Sequence, residues 1–368
     1  MRIDRLELEG FRNYARQAAD FDPRCNVVCG ENAQGKTNLL EAVAYLSRGK
    51  SPRARTDREM IGFQEESARL LARVYSRDRE FKVQADLFRG RRRKLTVNQV
   101  PVKTNAALGD VYHTVLFQPE DLFLIREGAA ARRRFLDNAL CQLRPRYAAA
   151  LAGYERAREQ KTRILRDYDQ RPGLLEALPE FSEQMVRLGA VLVQYRHSFC
   201  LRLAEAAAAC HRECSGGRET LELRYQTVSS VEDPGAELGI LTEQLRRHME
   251  GHREAELSSR LCLSGPHKDD ILVGIDGREA KQYASQGQTR TAALALKLAE
   301  REIYKNAAGE YPVLLLDDVL SELDPKRQEF VLNRIAGGQV FITCCEEDRL
   351  PNLLGGRVFH VEQGRIFE

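Results

Sequence analysis

The chain has 368 residues, of which 43% are hydrophobic and 30% charged, with a formal net charge of +3. That length suits two domains or one large domain with an insertion, and that balance excludes a disordered chain. No run approaches the roughly 20 continuous apolar residues of a membrane span, and residues 1–10 alternate apolar and charged side chains instead of forming the apolar core of a signal peptide, so no membrane and a cytoplasmic address are expected.

In chain order, residues 1–8 read as a strand with Ile3, Leu6 and Leu8 as its apolar positions, and residues 24–29 as a second strand ending at Gly30. Residues 36–46 take helical spacing. Strand patterns with turn signals follow at 68–74, 81–88, 94–97 and 112–117, the last stopped by Pro119. Near Cys141 the texture changes. From 146 to 165 and from 181 to 210, apolar residues recur at three and four with charges between them; Arg171, Pro172 and Gly173 break the pair, and a third helical stretch spans 238–257. This predicts a helical arm over residues 142–260, inserted between two parts of an α/β head, 1–141 and 261–368. A helix of about 30 residues reaches only about 45 Å, a short arm. Beyond it, strands at 269–275, 313–316, 340–343, 357–361 and 365–367 alternate with helices at 287–305 and 325–336.

The run Gly30-Glu31-Asn32-Ala33-Gln34-Gly35-Lys36-Thr37 fits G-x-x-x-x-G-K-[ST], and it lies between a predicted strand and a predicted helix, the context the motif needs. Its glycines let backbone N–H groups turn around phosphate oxygens, and the helix N-terminus adds partial positive charge. Lys36 would reach the β- and γ-phosphates, and the Thr37 hydroxyl would ligate Mg²⁺. A second constellation is the apolar strand 313–316, which empties into Asp317 and Asp318. Asp317 is expected to hold Mg²⁺ and Asp318 to orient the attacking water. Ser285-Gln286-Gly287-Gln288 opens a helix, where serine also serves as an ordinary N-cap. Ser321-Glu322-Leu323-Asp324 follows the acid pair.

Basic residues cluster at Arg48, Lys50, Arg53, Arg55 and Arg58, from Arg89 to Lys94, and at Arg132, Arg133 and Arg134. Such runs are either solvated surface or a footprint for a polyanion. The nine cysteines lack both zinc spacing and a disulfide framework and read as reduced core thiols.

The order of these motifs resembles the ABC-ATPase set of Walker A, signature, Walker B and D-loop. The distributed segments Leu8-Glu-Gly-Phe-Arg12-Asn13-Tyr14, Gly30 to Thr37, Phe117-Gln118-Pro-Glu-Asp-Leu122, Arg133-Arg-Phe-Leu-Asp137, Gly265-Pro-His-Lys-Asp-Asp270 and Ser285 to Gln288 resemble the RecF family of SMC-like ABC ATPases. The resemblance covers nearly the whole chain; in the arm it rests on length and helicity. It implies an ABC-type ATPase head (a P-loop NTPase) and slow, DNA-stimulated ATP hydrolysis in recombinational repair and replication-fork maintenance. It also implies an ATP-dependent homodimer in which Ser285, Gly287 and Gln288 of one chain cap the γ-phosphate of ATP bound to the other, with Asp324 in the D-loop. The implied partners are double-stranded DNA and single-strand/duplex junctions, with RecO and RecR helping RecA to load at single-strand gaps. Arg12, Asn13 and Asn38 are placed with the nucleotide, Arg12 and Asn13 on its adenine and sugar side. Gln118 is placed as the Q-loop glutamine that touches Mg²⁺ and the attacking water. ABC transporters carry a switch histidine after the strand beyond Walker B. Here that strand ends Thr343-Cys344-Cys345, and Thr343 is the candidate γ-phosphate sensor. The alternative, a transporter's nucleotide-binding subunit, shares the nucleotide motifs but lacks so long an insertion between Gly30 and Ser285. Three roles stay open for Gly265 to Asp270: catalytic neighbour, DNA contact or structural turn.

Overall fold

The computed structural model describes residues 1–345 and 355–368 and divides into two compact units, Met1–Phe123 with Ala293–Glu368, and Leu124–Ala292. The first unit holds two six-stranded sheets. One runs Arg365–Phe367, Arg357–Glu362, Cys25–Cys29, Val340–Cys344, Val313–Leu316, Thr114–Phe117, with only its Arg365–Phe367 edge antiparallel. Parallel strands covered on both faces need continuous apolar runs, and Val313–Leu316 is buried at every position. The other sheet is antiparallel, in the order Tyr14–Asp20, Arg2–Phe11, Ser67–Ser76, Arg79–Phe88, Lys94–Val97, Val100–Pro101. In Ser67–Ser76 alternate residues are buried, including Ala68, Leu70, Ala72 and Val74, as a sheet with one solvated face requires. The helix Lys36–Arg48 joins both sheets in one core, its Leu39 and Val43 clustering with Leu6, Leu70, Leu315 and Phe341.

Parallel order brings the carboxyl ends of Cys25–Cys29, Thr114–Phe117, Val313–Leu316 and Val340–Cys344 to one edge of the sheet. Ligands of open α/β sheets bind at that edge. Gly30, Gln118, Asp317 and Cys345 each follow one of these strands directly.

The second unit contains the helices Ala129–Leu143, Pro145–Asp167, Leu178–Cys214, Leu238–Gly251 and Arg253–Ser259. It also holds a three-stranded sheet, Arg278–Glu279, Asp270–Ile275, Leu221–Gln226. It thus extends on both sides of residues 142–260 and is not wholly helical. Its longest helix has 37 residues, about 55 Å at 1.5 Å per residue. The helix expected at 238–257 is interrupted at His252, just after Gly251, a poor helix former.

Within this unit the segment Gly265 to Asp270 is built into a buried polar network. Asp269 is 2% exposed; it accepts from Arg196 Nη1 at 3.0 Å and from the Tyr225 hydroxyl. Arg196 also grips Asp137. Asp270 takes both ends of the Arg132 guanidinium, at 2.7 and 2.8 Å, while Arg133 donates to the Asp269 carbonyl at 2.5 Å. His267 contacts the Tyr154 hydroxyl at 2.7 Å. These contacts make the segment a structural turn, and they commit Arg132 to the interior and tie the half-buried Arg133 to the same turn.

His113 immediately precedes the edge strand Thr114–Phe117 of the parallel sheet, 5% exposed, with its ring 5.2 Å from that of Tyr304. Burial, reinforced by the Arg77 charge, pushes its imidazole down to about 4. An unfolded histidine titrates near ~6.5. Below that pH the unfolded chain takes up a proton that the folded chain refuses until about 4. The resulting stability is complete above ~6.5 and is lost as pH falls toward 4. Between pH 7.5 and pH 5, unfolding free energy should therefore fall by about 2 kcal/mol less in His113→Phe than in the parent. Urea unfolding at the two pH values measures this, and equal losses would show that His113 titrates normally.

Candidate nucleotide site

Gly30 and Gly35 bracket the phosphate loop with φ of 148° and 128°, backbone that L side chains rarely adopt. A Cβ at Gly30 would strike the Val361 carbonyl, and one at Gly35 would meet Asn13 Nδ2 at 2.9 Å and the Tyr14 hydroxyl at 3.0 Å. The contacts at Gly35 come from the turn between the first two strands. Asn13 Nδ2 donates to the Gln34 carbonyl at 2.7 Å, Tyr14 donates to the Gly35 carbonyl at 2.9 Å, and Asn38 Nδ2 donates to Asn13 Oδ1 at 2.9 Å. Gln34 Oε1 is held in turn by the Gln363 N–H at 2.7 Å. Lys36, the first residue of the helix, is 4% exposed and donates to the Gly30 and Glu31 carbonyls at 2.6 and 3.0 Å. Asn32 Oδ1 accepts from the Cys345 thiol, and Ala33 adopts a φ of 65°.

The acid pair meets the loop through hydroxyls. Thr37 Oγ1 donates to Asp317 Oδ1 at 3.0 Å, and Thr343 Oγ1 donates to the same oxygen at 3.1 Å. Thr343 Oγ1 also accepts the Asp318 N–H at 2.7 Å. Gln118 Nε2 approaches Asp317 Oδ2 at 3.5 Å. The sensor candidate thus holds both acids in place. Asp318 itself turns at a φ of 52°, strained for a non-glycine residue. Burial, with the Asp318 charge adding to it, raises the Asp317 carboxyl above its ordinary value, although Thr37, Thr343 and Gln118 hydrogen bonds pull the other way. A buried carboxylate beside a hydroxyl and an amide is a set of hard oxygen donors, and it fits Mg²⁺.

Arg12, expected on the adenine and sugar side, is also tied into the scaffold. Its guanidinium grips Glu41 through two bonds of 2.8 Å and donates to the Glu59 carbonyl at 2.7 Å. Glu41 is 1% exposed and also accepts from Ser51. Arg12 therefore fastens the Glu59 segment to the helix of the phosphate loop. Beside it opens a cavity of about 480 Å³ lined by Arg12, Asn13, Asn38, Arg58, Glu59, Ile61, Phe63 and Arg89, with Phe63 fully exposed. Sequence reading named Arg89 only as part of a basic run and passed over Phe63 and Glu41, whose only signals were an aromatic beside Gly62 and an acid inside an apolar helix.

In the second unit Ser285 opens the helix Gln286–Ala308 with a reciprocal cap: Ser285 Oγ accepts the Gln288 N–H at 3.2 Å, and Gln288 Oε1 accepts the Ser285 N–H at 2.8 Å. Ser285 is nevertheless exposed, with Gly287 and Gln288 half-buried. Asp324 caps the helix Pro325–Arg334 through the Arg327 N–H and pairs with the Arg327 guanidinium.

A phosphate loop on a mixed parallel sheet, an acid pair two strands away and an accompanying antiparallel sheet define an ABC-type ATPase head, one of the P-loop NTPase folds. The profile of the RecF/RecN/SMC N-terminal domain matches residues 2–364. A "DNA replication and repair protein RecF" of Agathobacter rectalis is 38% identical over 371 residues, covering 100% of this chain and 99% of that one. Two solved structures of the recombination mediator protein RecF in the RecFOR pathway are each 31% identical. One, with ATP, has a TM-score of 0.90 and covers 99% of this chain and 96% of its own; the other, RecF-ATPrS, has a TM-score of 0.92, covering 99% and 97%. The chain belongs to the RecF family, which sets aside a transporter subunit. Among the described residues no helix is long and apolar enough to cross a membrane.

Proposed function

We propose that the chain is an ATP-dependent DNA-binding protein of recombinational repair and replication-fork maintenance, a slow DNA-stimulated ATPase that dimerises with ATP. The RecF relatives and the RecFOR context of the solved neighbours support this reading. In it the protein works with RecO and RecR to help RecA load at single-strand gaps and junctions with duplex. The observation that carries it is the hydrogen-bonded series Thr37–Asp317–Thr343–Asp318 beside Lys36, which joins three separate stretches of the sequence in one site.

In this site the loop amides from Asn32 to Thr37 and the Lys36 ammonium bind the phosphates. Asn13, Asn38 and the cavity at Phe63 take the nucleoside end. Thr37, Asp317 and Gln118 would hold Mg²⁺, which neutralises charge developing on the phosphates. Asp318, fixed through its N–H by Thr343, orients the attacking water, with Gln118 beside it. Ser285, Gly287, Gln288 and Asp324 serve the ATP of a second copy, where an exposed hydroxyl at a helix N-terminus is a phosphate site.

DNA binding is electrostatic in this account. A cavity of about 590 Å³ is lined by Arg58, Arg91 and Arg92 with Phe88, whose ring lies 3.8 Å from the Arg91 guanidinium. Arg93 is different: it is tied to Tyr45, the Gly49 carbonyl, Asp57 and Asn105. It belongs to the scaffold, so the triple substitution that isolates the surface is Arg58, Arg91 and Arg92 to Ala. ATP turnover with and without duplex DNA, together with duplex affinity across salt concentrations, tests the function. Turnover should need Mg²⁺ and rise with duplex. The triple variant should lower the log-affinity against log-salt slope by about 2 to 3, since each phosphate contact contributes about 0.9. An unchanged slope removes this surface from the contact, and turnover indifferent to DNA contradicts the function.

A further inference from the structure

Three thiols crowd the phosphate loop. Cys29 is the last residue before Gly30, and Cys344 pairs with it in register on the neighbouring parallel strand. Their sulfur atoms are 3.1 Å apart. Cys29 is 2% exposed, whereas Cys344 is half-buried. Cys345 is exposed, with its sulfur 3.6 Å from Lys36 Nζ. Strands in a sheet lie about 4.8 Å apart, and disulfides span Cα separations of about 4.4–6.8 Å. Joining Cys29 to Cys344 therefore asks for side-chain rotation, not backbone travel.

We infer that Cys29 and Cys344 form an oxidative modification site, at which a hydroperoxide converts two thiols into a disulfide that reversibly closes the nucleotide site. This regulation rests on the nucleotide-site reading above. In the first step Cys344 Sγ attacks one peroxide oxygen. The O–O bond breaks, the thiol proton leaves with the departing oxygen as water when the oxidant is hydrogen peroxide, and Cys344 becomes a sulfenic acid. Cys29 Sγ then attacks that sulfur. The S–S bond forms, the S–O bond breaks, and the hydroxyl leaves with the Cys29 proton as a second water. Two thiols are oxidised by two electrons, and one hydrogen peroxide is reduced to two waters.

The consequence is local. Cys29 feeds Gly30, which is pressed against the Val361 carbonyl and whose own carbonyl holds Lys36. Cys344 follows Thr343, which holds both acids. A bridge ties the loop's root to the strand that positions the acids, so neither adjusts independently to the phosphates.

The test uses the full chain. ATP affinity is measured reduced, after hydrogen peroxide, and after dithiothreitol, and disulfides are mapped by non-reducing peptide mass spectrometry. A Cys29–Cys344 cross-linked peptide should appear with at least a roughly tenfold loss of ATP affinity, and dithiothreitol should reverse both. Cys29→Ser and Cys344→Ser, each referred to its own reduced state, should show neither. Absence of the cross-linked peptide, or its formation with ATP affinity unchanged, overturns the inference. So does a loss that persists in Cys29→Ser, which would place the effect at a singly oxidised Cys344 or Cys345 and not at the bridge. If the reduced parent fails to bind ATP, the nucleotide reading fails, while the peptide map still decides whether the thiols couple.

Discussion

Lys36→Ala is expected to weaken ATP binding by at least about a hundredfold, the effect of removing one partner from a desolvated, hydrogen-bonded charge pair. Lys36 is 4% exposed, and its ammonium is already aimed along the loop by the Gly30 and Glu31 carbonyls. Little ordering remains to be done when phosphate arrives, so nearly all of its charge acts on the ligand. What the variant retains is the ring of loop amides and the helix N-terminus, which hold a phosphate weakly alone. The fold should survive, because alanine is a good first residue for the helix Lys36–Arg48. Calorimetric titration with ATP measures the effect, with thermal unfolding as the control. Binding within threefold of the parent would mean that the loop holds no nucleotide phosphate.

Asp318→Asn should leave ATP affinity and ATP-driven dimerisation near normal and reduce turnover by about a hundredfold or more, the usual contribution of a positioned general base. The substitution keeps the N–H that Thr343 accepts, and asparagine tolerates the φ of 52° observed there. Asp317, to which the proposal gives the metal-facing role, is untouched. Single-turnover hydrolysis alongside equilibrium binding separates the two steps. Turnover at the parent rate would move the water-orienting role to another residue, with Gln118 the next in reach.

Local chemistry was legible in the sequence, and long-range pairing was not. The strands Lys94–Val97, Val313–Leu316 and Arg365–Phe367 match their expected bounds because short apolar runs sit between clear turn signals. The phosphate-loop motif was readable because its glycines, Lys36 and Thr37 are contiguous in the sequence. Tyr14–Asp20 was missed as an edge strand with few large apolar residues. Leu221–Gln226 carries the alternation Leu221, Leu223, Tyr225, but it is only six residues long within a helical region. Arg132 looked like surface charge in a basic run, yet its helix Ala129–Leu143 buries it against Asp270, a partner 138 residues away. Arg12 and Thr343 show the same limit within the site. The family resemblance placed both with the nucleotide, while their hydrogen bonds to Glu41 and to the acid pair arise only from the assembled sheets.

The central claim is that one chain's Lys36 and another's Ser285 serve the same ATP. Lys36→Ala and Ser285→Arg, each introduced into both halves of a covalently linked dimer, should be inactive. Linking one half bearing Lys36→Ala to one bearing Ser285→Arg places both lesions in one composite site and leaves the other intact. Steady-state ATP turnover of that mixed pair measures the sharing directly. Independent sites should restore roughly half the turnover of the linked parent. No recovery in a folded mixed pair, or high activity in the Ser285→Arg pair alone, would contradict the shared site and leave Ser285 as a helix cap only.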